Sequence, residues 1–151
     1  MHKEKAQELF KSGYNCSQAV LGAFCEELGM DIDTAMKIAV SFGGGMGRMR
    51  EVCGTVSGMF LALGLAYWDK DGDKSEHYKR VQELAKEFKD KNGSIICREL
   101  LEGIESSTTP TASERTEQYY KKRPCVELVG DAAEILEKYL ETHPLKNKIS
   151  A

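Results

Sequence analysis

"REVCGTVSGMFLALGLAYW" (residues 50–68) is the stretch whose reading decides the fold. From Val52 to Trp68 it carries no charged residue, a length at the short end of the roughly 17–25 residues a membrane span needs. Gly54, Gly58, Gly64, Thr55 and Ser57 weaken its hydrophobicity further, so it reads as a buried central helix and not as a membrane segment. Gly54, Gly58, Ala62 and Ala66 recur every four residues and form one smooth strip along that helix. Val52, Val56, Met59 and Leu63 form an apolar ridge beside it. Each interior glycine costs about 0.5–1 kcal/mol relative to alanine, so the strip predicts a neighbouring helix packed closely against it. Close packing leaves Cys53 unexplained. If the helix begins near Met49 or Arg50, that thiol stands in its first turn.

Helical periodicity extends in both directions. Residues 3–13 read as a short opening helix ended by Gly13. In "NCSQAVLGAFCEELG" (15–29), Asn15 is the predicted N-cap, Gln18 its capping-box partner and Gly29 the C-cap. "DIDTAMKIAVSFG" starts at an aspartate cap, and "GGGMG" (43–47) is a loop containing Gly43, Gly44 and Gly45. "DKDGDK" is a turn, and 75–93 is a charged amphipathic helix with Val81, Leu84, Ala85 and Phe88 on one face. A shorter helix over 94–103 capped by Ser94, a mobile polar loop over 104–118, and a closing helix over 124–143 with Pro124 in its first turn complete the chain. Alternating strand patterns are absent. The expectation is an all-α, single-domain bundle of about six or seven helices spanning 1–151, with a short polar C-terminal tail.

Composition narrows the function. The chain has 151 residues, 30% charged and 41% hydrophobic, with net charge -3. Its only basic cluster is Lys121-Lys122-Arg123, too small for a nucleic-acid face. Five widely spread cysteines are not the framework of a stapled secreted domain, and "MHKEKAQELF" lacks a signal-peptide core. A cytoplasmic location is expected.

The cysteine positions are informative. Cys16 follows the Asn15 cap, Cys53 falls in the first turn after the glycine loop, Cys97 lies three residues after Ser94, and Cys125 follows Pro124. Helix N-termini present unpaired N–H groups and partial positive charge, which favours a thiolate. Arg48 and Arg50 before Cys53, Arg98 after Cys97, and Lys121, Lys122 and Arg123 before Cys125 should add to that effect. Depressed thiol pKa values are therefore expected. Cys25 stands nine residues after Cys16, on the opposite side of a regular helix and beside Glu26 and Glu27, and reads as structural.

These residues resemble the C_GCAxxG_C_C family of redox-active proteins, which is defined by four cysteines, the second in a CGAxxG motif. Cys16 in "GYNCSQAV", Cys53 with Gly54 and Gly58 in "CGTVSG", Cys97 in "CREL" and Cys125 in "PCVELV" match over about residues 13–130. Thr55 stands where the motif has alanine, read as a small-for-small change. The resemblance implies a small redox protein using the same four thiols and leaving out Cys25.

Two functional readings stay open. Cys16, Cys53, Cys97 and Cys125 could cycle between dithiol and disulfide, passing electrons to a partner protein or a small-molecule acceptor, as a thiol-dependent oxidoreductase does. Alternatively, the same four could hold an iron–sulfur cluster or zinc. No CxxC spacing is present, so either site must be assembled from distant helices. A third reading is an interaction module without catalysis. "GGGMG" lacks the Lys-Ser/Thr ending of a phosphate loop, and "DKDGD" has its glycine misplaced for calcium. His2, His77 and His143 are expected to be solvated surface residues. Oligomeric state is not legible.

Overall fold

The computed structural model describes residues 1–104 and 106–145; the predicted polar tail and the side chain of Lys122 lie outside the described residues. The chain folds as helices α1 (His2–Lys11), α2 (Cys16–Phe24), α3 (Ile32–Ala39), α4 (Gly43–Met46), α5 (Gly54–Tyr67), α6 (Lys74–Asn92), α7 (Cys97–Leu100), α8 (Glu117–Lys122) and α9 (Cys125–Thr142). A 3-10 turn, Val40–Phe42, joins α3 to α4. Among the described residues there is no sheet, only an isolated antiparallel bridge between Val52 and Ile96. No helix among them is long and apolar enough to cross a membrane.

α5 is the central element, packed against α2, α6 and α9. The glycine strip works as its spacing predicts. A Cβ at Gly58 would lie 2.7 Å from the Ser17 carbonyl oxygen, so only glycine lets α2 settle onto α5. The ridge residues Val56, Met59 and Leu63 are fully buried, as are Val20, Leu21 and Phe24 of α2 and Leu136 of α9. Each such side chain contributes about 1.5–3 kcal/mol of transfer free energy.

Caps set the starts and stops. Asn15 and Gln18 form the full capping box, with Gln18 N–H donating to Asn15 Oδ1 at 3.0 Å and Asn15 N–H donating to Gln18 Oε1 at 2.9 Å. Asp31 accepts from the Thr34 amide at 2.9 Å. Asp73 caps α6, which ends on left-handed Gly93.

The predicted boundaries need four corrections. α5 starts at Gly54, not near residue 50, because Arg48 (φ 69°) and Arg50 (φ 60°) are left-handed and residues 51–53 pair with 95–97. The same pairing shortens the helix predicted over 94–103 to the single turn of α7, which starts at Cys97. Ser94 instead accepts from the Ile96 amide, outside that helix. Finally, α2 ends at Phe24, and residues 25–29 form a turn closed by Met30 N–H donating to Cys25 O.

Two of the histidines also differ from expectation. His2 stacks on Phe24 at 4.2 Å and bridges Glu137 and Glu27. His77, half-buried, meets Trp68 edge-on at 6.0 Å, whereas His143 is exposed as expected and stacks on Tyr139 at 3.8 Å. Each ring has an apolar surface that packing covers, even on an otherwise polar stretch.

These contacts orient the bundle. His2 of α1 sits beside Phe24 near the end of α2, and Tyr67 of α5 packs on Tyr139 of α9. α2, α5 and α9 therefore run with their N-terminal ends at one end of the molecule, and α1 runs against them.

Candidate functional site

At that end lies a cavity of about 460 Å³. Cys16, Cys53, Cys97 and Cys125 all line it; Cys25 does not. Cys16, Cys97 and Cys125 are each the first residue of a helix, and Cys53 is the N-cap of α5. Cys125 thus sits one position earlier, and Cys97 two, than the sequence predicts. Cys16 is half-buried and the other three are buried.

The local chain explains two of these placements. The bridge between Val52 and Ile96 ties Cys53 N–H to Ile95 O at 2.8 Å and Cys97 N–H to Glu51 O at 2.6 Å. Side chains alternate across such a pairing, so Cys53 and Cys97 leave its same face. They are diagonal neighbours, a position that sets Cα atoms about 7–8 Å apart. Disulfides usually join Cα atoms closer than about 6.8 Å.

A left-handed turn forms the cavity wall beside them. Gly44, Gly45, Met46, Gly47 and Arg48 all have φ between 61° and 72°. A Cβ at Gly45 would meet Cys97 Cβ at 2.7 Å, so glycine is needed there for both conformation and space. Met46, Arg48 and Arg50 have no such freedom, and each pays about 1–2 kcal/mol for its left-handed backbone.

The thiols are not poised as helix position alone predicts. Cys16 lies well above the ordinary thiol value, first because of the neighbouring Cys125 thiol and then because of burial. Burial pushes Cys53 up to about 12, with the neighbouring Cys16 adding to the rise. Cys97 is also raised by burial, although Arg50 pulls the other way. The expected depression is therefore overturned at Cys16, Cys53 and Cys97, because desolvation and nearby sulfurs outweigh the helix ends. Cys25, fully buried and directed at Gly22 O at 3.6 Å, is raised by burial and by Glu26.

Four arginines, Arg48, Arg50, Arg115 and Arg123, line the same cavity, and no aspartate, glutamate or lysine does so among the described residues. Arg50 is buried and directs Nη1 to Cys97 Sγ at 3.7 Å, while its Nε and Nη2 donate to Ser107 O at 3.1 and 2.9 Å. Arg48 donates to Thr109 O and Ser113 Oγ, both at 2.8 Å. Arg115 donates to Phe10 O at 3.2 Å and Tyr14 O at 3.0 Å, and lies 4.3 Å over the Phe10 ring. Arg123 lies 4.8 Å over Tyr119. The loop expected to be mobile is thus pinned across the cavity by Arg48 and Arg50.

Arg115 comes from a segment whose sequence reads only as polar loop. Arg98, expected to act on a thiol, is exposed and bonded to Glu51 and Arg50 O instead. Thr55 is more than a small residue. Its hydroxyl is fully buried without a hydrogen-bond partner of good geometry, and it favours the thiolate forms of Cys16 and Cys53.

A metal centre needs its donors drawn tightly together, with Zn–S about 2.3 Å. Among the described residues no group of three or more His, Cys, Asp or Glu side chains could hold a metal ion. The four thiols, as arranged, do not fit a four-ligand cluster or zinc site.

The family model described as "Putative redox-active protein (C_GCAxxG_C_C)" matches residues 14–139. Comparison with curated proteins and with solved structures finds no match.

Proposed function

Because the chain belongs to the C_GCAxxG_C_C family, we propose that it is a thiol redox protein whose working pair is Cys16 and Cys125. The observation that carries this reading is the placement of both thiols at the first positions of α2 and α9 in one cavity, where the neighbouring Cys125 helps hold Cys16 in its thiol form. Thiols that face one cavity from two helix starts can join after a movement of those helix ends. Oxidation removes two electrons and two protons from the pair and joins the sulfurs. A partner disulfide accepts both and leaves as two thiols. Cys53 and Cys97 serve as the second pair, which takes over the disulfide by exchange. Their diagonal placement means that joining them shifts the 95–97 segment. Cys25 takes no part.

The test is anaerobic purification from iron-replete cells, followed by metal analysis and a thiol count during mild oxidation. The expected result is metal-free protein that loses thiols two at a time, a Cys16–Cys125 disulfide in the first product, and recovery with dithiothreitol. Cys125→Ser should abolish that first step. Stoichiometric iron with sulfide, or zinc, protecting four thiols until its removal would overturn the proposal.

A further inference from the structure

We propose that the electron partner of this cavity is a small disulfide carrying carboxylate groups, bound by Arg48, Arg50 and Arg115. This rests on the thiol redox reading and gives it a substrate class. Three observations point the same way. First, the thiols are largely enclosed, with only Cys16 half-buried. Cys53, Cys97 and Cys125 are buried, and the 107–113 segment is bonded over the cavity by Arg48 and Arg50. A cavity of about 460 Å³ has the size of a small-molecule site, and a small disulfide reaches its buried sulfurs more readily than one fixed on a folded protein.

Second, the cavity is lined by arginines and, among the described residues, by no carboxylate. Arg48, Arg50 and Arg115 donate to carbonyl oxygens, a hydroxyl and a thiol, and none is paired with a carboxylate among the described residues. The charges feel one another, since Arg48 is pulled below its ordinary value by burial and then by Arg50 and Arg123. Third, α2, α5 and α9 direct their positive N-terminal ends to the same cavity. Carboxylate oxygens would take up the guanidinium donors and relieve this repulsion.

The step balances. A protein thiolate attacks one sulfur of the bound disulfide, and a carboxyalkyl thiolate leaves and takes up a proton. The second protein thiol, losing its proton, attacks the mixed disulfide and releases the second carboxyalkyl thiolate. The protein gains one disulfide, and the partner becomes two thiols.

Three disulfides of similar size separate charge from reactivity: 3,3′-dithiodipropionate, 2-hydroxyethyl disulfide and cystamine. The reduced protein should lose thiols to dithiodipropionate about tenfold faster than to hydroxyethyl disulfide, with cystamine slowest, and the ranking should shrink as salt rises. Suberate, the sulfur-free analogue of dithiodipropionate, should bind in calorimetry and slow the reaction. Arg48→Gln and Arg115→Gln should each compress the ranking; where a variant fails to fold, the ranking and its salt dependence in the natural protein decide. Equal rates, or cystamine fastest, together with no suberate binding, would overturn the inference while leaving the thiol pair intact. Suberate binding with no oxidation by any of the three would retain the anion site and remove the redox reading beneath it.

Discussion

α2 carries a cysteine at each end, and the two ends of the molecule treat them differently. Cys16, at the head of the helix, lines a cavity with three other thiols, four arginines and a left-handed turn. Cys25, just beyond the tail, is fully buried in the apolar core and directs its thiol to Gly22 O. Around the tail, carboxylates are present and hydrogen-bonded, with His2 bridging Glu27 and Glu137. Around the head, positive charge converges without carboxylates among the described lining residues. One residue type thus has two roles, and its surroundings choose between them. The head end also stores cost in buried thiols, unpartnered Ser17 and Thr55 hydroxyls and left-handed side-chain-bearing residues. Such cost concentrates where structure serves chemistry and not stability alone.

The largest expected effect comes from pH. Thiols raised in the folded state hold protons that the unfolded chain has released, so stability is full below the unfolded value near 9.0 and falls as pH rises. At Cys53 the fall should continue to about 12. Denaturant melts from pH 8 to 11 should show a loss of more than about 1 kcal/mol per pH unit. Cys53→Ala should flatten the curve markedly and Cys25→Ala less so. Equal flattening by the two would dissolve the contrast between the ends.

A second contrast lies along α5. Gly58→Ala brings a Cβ against the Ser17 carbonyl and should cost about 2–3 kcal/mol. Gly64, toward the tail, has nothing closer than His77 Nε2 at 4.0 Å, and Gly64→Ala should stabilise by about 0.5–1 kcal/mol. Urea midpoints would measure both, and a neutral Gly58→Ala would mean that the two helices do not meet this closely.

The smallest effect sharpens the account of strain at the head. Met46→Gly should raise stability by up to about 1 kcal/mol, because glycine adopts φ 63° without the penalty a side chain incurs. Thermal unfolding would read the gain. A loss would show that the Met46 side chain contributes more than its backbone costs.

Local features were legible in the sequence. The capping box of Asn15 and Gln18 and the Asp31 cap depend on residues within a few positions, and each formed as written. The glycine strip predicted the close approach of a neighbouring helix, which is α2, and the Asn15 cap set Cys16 at the start of its helix. What the tertiary structure alone decided depends on residues far apart in the chain. Pairing of 51–53 with 95–97 moved the start of α5 and shortened α7. Arg115 reached the cavity from a segment whose composition gives no sign of it. The direction of the thiol shifts reversed as well. A helix N-terminus can be read from sequence, but desolvation sums over every neighbour the fold assembles, and at Cys16, Cys53 and Cys97 that sum prevails.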